Sequence, residues 1–144
     1  EYEAEVVALA ERLEVAQHGH PVAHTSRPVL AKLDFPTPDR STLPTLDNYA
    51  HFRIGESVLQ AGHVEASRGC LHTCSHCPIT PVYEGRFFIV PRDMVLADIR
   101  AQVTAGAKHI TFGDPDFLNG PRHSLAILRE MHRDFPDLTF DATI

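Results

Sequence analysis

The sequence predicts an α/β protein built on a parallel sheet, with the strands arranged as part of a barrel. Two observations carry this. From Gly62 onward, short β-branched or aromatic runs alternate with longer stretches whose apolar residues recur at helical spacing. The connections between them are short, and alternation with short connections implies right-handed crossovers and parallel strands. A third observation is chemical: every cysteine of the chain falls in one loop of this region.

The elements follow in order. Residues 1–16 read as a helix, with Val6, Leu9 and Leu13 on one face and Glu1, Glu3 and Glu5 where the helix dipole favours acid. So short a helix needs something to pack on. Residues 17–61 carry Pro21, Pro28, Pro36, Pro38 and Pro44, which block long helices and interrupt strand ladders. This stretch reads as a linker held against a surface, because Val29, Leu30, Leu33, Phe35, Leu43, Leu46, Tyr49 and Phe52 need burial. A short helical turn is expected within "TLDNYAHF". The segment 62–144 is then the first part of a domain distinct from the helix and linker of 1–61. "HVEAS" (63–67) reads as its first strand, the cysteine loop follows, and "PVYEGRFFIV" (81–90) contains an extended segment. Pro91 opens a helix striped by Val95, Leu96, Ile99 and Val103 and stopped by Gly106. "KHITFGD" (108–114) is the second strand, with Ile110 and Phe112 on one face. Residues 120–136 form a helix striped by Leu125, Leu128, Met131 and Phe135, and "LTFDATI" (138–144) is the third strand. Three such strands make part of a barrel, so the sequence is expected to be a piece of a longer enzyme. In these folds chemistry sits at the C-terminal ends of the strands. The cysteine loop and "GDPDF" should therefore open onto one face.

Composition narrows the function. The chain has 144 residues, 43% hydrophobic and 22% charged, which is ordinary for a globular domain. No apolar run is long enough for a membrane helix. The net charge of -6 gives no basic footprint for nucleic acid. With no secretory signal, the clustered cysteines fit a reducing cytoplasm and a metal or redox role.

The loop "CLHTCSHC" holds Cys70, Cys74 and Cys77. An odd number cannot all pair as disulfides. Structural zinc sites use four ligands, often as two well-separated Cys-x2-Cys pairs, and only Cys74 and Cys77 make such a pair. His72 or His76 could complete a zinc site, though each is cramped between cysteines. An iron–sulfur cluster takes closely spaced cysteines and would keep one iron open for a substrate or cofactor. A zinc-binding module and an electron-carrying iron–sulfur module are the non-catalytic alternatives.

The spacing Cys70-x3-Cys74-x2-Cys77, with "SRGC" before it and "HCP" after it, resembles the signature of the radical S-adenosylmethionine (radical SAM) enzymes. The resemblance implies a partial or full β/α barrel and a 4Fe–4S cluster on those three cysteines. It implies SAM bound at the open iron and cleaved reductively to a 5′-deoxyadenosyl radical, on a substrate the sequence leaves unknown. It also implies an electron donor such as flavodoxin or ferredoxin. "ITFGDPDF" (110–117) occupies the place of the family's segment that meets the SAM amino group, which assigns Gly113, Asp114 and Asp116 to cofactor binding. His76 matches the residue before the last cysteine, usually aromatic, whose backbone faces adenine. The wording "CLHTCSHCP" with "GDPDFLNGP" resembles bacterial members that carry a cobalamin-binding domain and a Cys-rich tail. Residues 1–61 then look like the seam to an upstream cobalamin domain. No Asp-x-His-x-x-Gly run occurs here, so cobalamin is an expectation for the longer parent alone. Asp141 and Thr143, near the end of the third strand, are further candidates to face the site, and Arg68 and Arg86 are candidates to meet an anion.

Overall fold

In a computed structural model of the chain, the residues described are 3–15 and 34–144. Helix α1 (Glu3–Val15) forms where the sequence placed it. Its stripe is not covered, however: Val6 and Leu13 are more than half exposed. The first part of the proline-rich stretch, with Pro21 and Pro28, lies outside the described residues. From Asp34 the chain runs without regular structure to a single 3-10 turn, Leu46–Asn48, the short turn expected in "TLDNYAHF".

Then the reading and the structure part. Strand β1 (His51–Ile54) and strand β2 (Ser57–Val64) form an antiparallel hairpin around Gly55 and Glu56, within residues the prolines had marked as linker. The first parallel strand thus begins at Ser57, well before His63. The nearby prolines obscured the hairpin, but all of them precede His51 and none interrupts its ladder. Strand β3 (Ser67–Gly69) leads into the cysteine loop. A one-turn helix α2 (Thr80–Tyr83) and strand β4 (Phe87–Ile89) follow it. β3 and β4 pair antiparallel, so the loop is closed by a small ribbon of its own. Helix α3 (Arg92–Thr104), strand β5 (His109–Phe112), helix α4 (Pro121–Asp134) and strand β6 (Thr139–Ala142) complete the chain.

The main sheet has the order β1-β2-β5-β6, with β2, β5 and β6 parallel, curled into half a barrel. The α/β partial barrel read from the sequence is therefore the architecture observed. Register assigns its two faces. Gly62, Ile110 and Phe140 share one rung, and Val64, Phe112 and Ala142 another, on the face covered by α3 and α4. Ile110, Ile99 and Ile127 are fully buried there. The stripe of α3 agrees with the sequence. That of α4 is rotated: Ser124, Ile127 and Met131 are buried, whereas Leu125 is 44% exposed. Leu128 and Phe135 pack at its margin. Both stripes have helical spacing, and only the docking angle on the sheet decides between them.

The opposite face, inside the half-barrel, is polar. Ala61, His109 and Thr139 form one rung, and His63, Thr111 and Asp141 the next. His109 is buried there against Phe52, with ring centroids 3.7 Å apart. Its Nδ1 lies 2.8 Å from Thr139 Oγ1 and its Nε2 lies 2.9 Å from Asp141 Oδ1.

Two polar side chains hold the free edge of β2 beyond the hairpin. Gln102 of α3 acts as a surrogate strand: His63 N–H donates to its Oε1 at 2.9 Å, and its Nε2 donates to His63 C=O at 3.0 Å. Arg40 donates to the same carbonyl and forms a two-pronged ion pair with Asp98, at 2.7 and 2.8 Å. Asp98 and Gln102 are buried on α3, one turn from the apolar stripe. They tie the segment before β1 to the sheet. No described helix is long and apolar enough to cross a membrane.

Candidate functional site

The cysteine loop begins at a backbone position that only glycine fits. Gly69 has φ 80°, and a Cβ there would lie 2.3 Å from the Arg86 carbonyl and 2.6 Å from the Tyr83 ring. The chain can then fold back under α2 and present Cys70 beside the loop that follows β5. All three cysteines are free thiols; Cys74 is exposed, and Cys70 and Cys77 are half-buried. Cys77 N–H donates to the Cys74 carbonyl at 3.2 Å, closing a turn between them, and the Thr80 hydroxyl donates to the same carbonyl. His72 N–H points at Cys70 Sγ at 3.4 Å. His76 is exposed on the loop.

The loop after β5 meets this one. Asn119 is the joint: its Oδ1 accepts from Leu71 N–H at 2.7 Å, and its Nδ2 is 3.5 Å from Cys70 Sγ. The sequence reading missed Asn119, although it lies three residues beyond Asp116 in the same "GDPDFLN" run. Asp116 caps the 3-10 turn Phe117–Asn119 by accepting from Leu118 N–H at 2.9 Å, and its Oδ2 faces His72 Nε2 at 3.4 Å.

Asp114 differs from Asp116. It is 2% exposed, its Oδ2 accepts from Ala66 N–H at 3.0 Å, and its Oδ1 accepts from the Ser67 hydroxyl. Burial pushes its carboxyl above the usual carboxylate range, against the hydrogen bonds from Ser67 and Ala66 that pull it down. Asp114 therefore braces the start of β3 against the end of β5, directly behind the cysteine loop. Gly113 lies beside the His63 ring; a Cβ there would be 2.3 Å from the ring carbon. Its N–H continues the ladder to Val64 C=O.

The two loops thus lie together beyond the C-terminal ends of β2 and β5, as parallel-strand topology requires. Among the described residues, no three His, Cys, Asp or Glu side chains are gathered closely enough to hold a metal ion. The donor set itself suits iron and sulfide: three free thiols on one short loop, with N–H groups directed at Cys70 sulfur. Asp141 and Thr143 lie at the end of the third parallel strand; the Thr143 carbonyl accepts from Phe117 N–H at 2.9 Å and so anchors the Asp116 turn. Arg68 pairs with Glu65 at 2.9 Å and lies over the Phe35 ring.

The chain matches no protein-family model and no curated protein. Two solved structures are similar to it, both of TsrM from Kitasatospora setae, a radical S-adenosylmethionine methyltransferase. One has cobalamin and a [4Fe-4S] cluster bound; it is 22% identical, with a TM-score of 0.49, over 56% of this chain. The other has tryptophan substrate and the SAM analogue aza-SAM bound; it is 22% identical, with a TM-score of 0.48, over 54% of this chain. In each case the similarity spans 15% of the TsrM chain.

Proposed function

We propose that this chain is the cluster-bearing part of a radical SAM enzyme. One observation carries the reading: Asn119 joins the cysteine loop to the acidic loop after β5, contacting both Leu71 and Cys70. Chemistry that needs a thiolate-held group and an acidic ligand pocket side by side is served by that junction. Cys70, Cys74 and Cys77 are the cluster ligands. A 4Fe–4S cluster with SAM on its open iron supplies one-electron cleavage of the sulfonium. Asp116, whose carboxylate borders the cysteine loop, is the group for the SAM ammonium. Asp114 fixes the geometry of both loops from behind, Gly113 keeps the backbone accessible there, and His76 lies beside the adenine position. Asn119 donates an N–H to Cys70 sulfur and so tunes that ligand. A flavodoxin or ferredoxin in a reducing cytoplasm is the electron source. Cobalamin belongs to the longer parent.

The test is electron paramagnetic resonance of anaerobically reconstituted, dithionite-reduced protein, with and without SAM, beside a Cys74→Ala variant. A 4Fe–4S signal that changes with SAM and is lost in the variant is the expected result. A cluster indifferent to SAM points to an electron carrier. Stoichiometric zinc without a cluster overturns the reading.

A further inference from the structure

Beside the free edge of β2 lies a cavity of about 660 Å³. One wall is the segment before β1, contributing Leu43, Leu46 and Tyr49. The other is Ala61 of β2 with Ala101 and Ala105 of α3. Arg40, His63, Gln102 and Thr111 supply its polar lining, with the hydroxyls of Tyr49 and Thr45. The volume falls within the range of small-molecule sites, and the pattern is the usual one for them: apolar walls with a few convergent polar groups.

The polar groups define what fits. Among the described residues, Arg40 is the only Lys, Arg, Asp or Glu in the lining, and its charge is matched by Asp98 at 2.7 Å. An anion would therefore find no uncompensated cation, and an ammonium group no carboxylate. Gln102 is held by the backbone of His63 through both ends of its amide. Arg40 uses Nε and Nη2 for Asp98 and His63; its Nη1 makes no hydrogen bond among the described residues, nor does the His63 ring. With the Tyr49 hydroxyl, these leave donor capacity for a neutral acceptor, such as a carbonyl or hydroxyl oxygen. The location matters as well. His63 lines the cavity and packs on Gly113, the first residue of the acidic loop.

We propose that this cavity binds a neutral, mainly apolar small molecule bearing an oxygen acceptor. Only in calling that molecule the substrate does the inference rest on the proposed function; the binding itself does not need the cluster. The test uses ligand-observed and methyl NMR on the 144-residue chain without metal, with naphthol as the neutral probe. Naphthoate and naphthylmethylammonium are its charged counterparts. Naphthol should bind and shift the Ala61 and Ala101 methyl signals. Ala101→Leu, at an exposed helix position where leucine is well tolerated, should occupy the cavity and weaken binding about tenfold or more. A urea unfolding curve for the variant checks that it is folded. No binding of naphthol, binding unchanged in Ala101→Leu, or tighter binding of either charged probe would overturn the proposal. None of these outcomes bears on the cluster experiment.

Discussion

Replacing Arg40 by methionine tests how the segment before β1 is fastened to the sheet. Arg40 makes two bonds to Asp98, whose side chain is 4% exposed, and one to the His63 carbonyl. Arg40→Met removes all three. The carbonyl keeps Gln102 Nε2 at 3.0 Å and is not orphaned. Asp98 has no such reserve among the described residues and is left as a buried carboxylate without its cation. Breaking a buried pair from one side costs about 3–5 kcal/mol. The Arg40 side chain is 32% exposed, so water can partly replace it, and a loss of about 2–3 kcal/mol is expected. Against a total stability of roughly 5–15 kcal/mol this is readily measured. The assay is urea unfolding followed by circular dichroism. Arg40→Met with Asp98→Leu should recover most of the loss, because the double variant buries no charge. A single-variant loss below about 0.5 kcal/mol, within the range of ordinary surface substitutions, would refute the claim that this pair fastens the segment.

Three further outcomes are expected. Gln102→Leu leaves the His63 N–H without an acceptor and should cost about 1–3 kcal/mol, read from the same unfolding curves. Asn119→Ala should leave global stability within about 1 kcal/mol but speed thiol labelling of Cys70 relative to Cys77, since only Cys70 loses a contact; equal labelling rates before and after the change would show that Asn119 does not restrain the loop. For Asp141, burial pushes the carboxyl up, but bonds from Thr111 and His109 outweigh it and hold the group below the usual range. A carboxyl depressed in the folded state contributes stability that is present above its unfolded pKa and lost as pH falls through the folded one. Asp141→Asn should therefore flatten the decline of stability below about pH 4, measured by urea unfolding across an acid pH series.

The sequence by itself determined the parallel core and the place of the cysteines. Val95, Leu96 and Ile99, like Ile110 and Phe112, recur at periods that leave one face to bury, and that is the face the structure buries. It also put the cysteine loop and "GDPDF" after successive parallel strands, and topology alone then requires them to share an end of the sheet. What only the tertiary structure decided depends on partners far apart in the chain. The hairpin from His51 to Val64 is unremarkable locally and becomes the edge of the sheet because β2 pairs with β5, nearly fifty residues on, while Gln102 and Arg40 hold the His63 backbone. Leu125 and Ile127 belong to the same helix with equal apolar credentials, and the docking angle alone buries the second. Asp114 and Asp116 look equivalent two residues apart. The fold gives one to the backbone of Ala66 and the other to the edge of the cysteine loop. Hydrogen bonds across 48 residues, such as those from Ala66 to Asp114 and from Leu71 to Asn119, leave no periodic trace in the sequence, because each depends on a single side chain meeting a single backbone group.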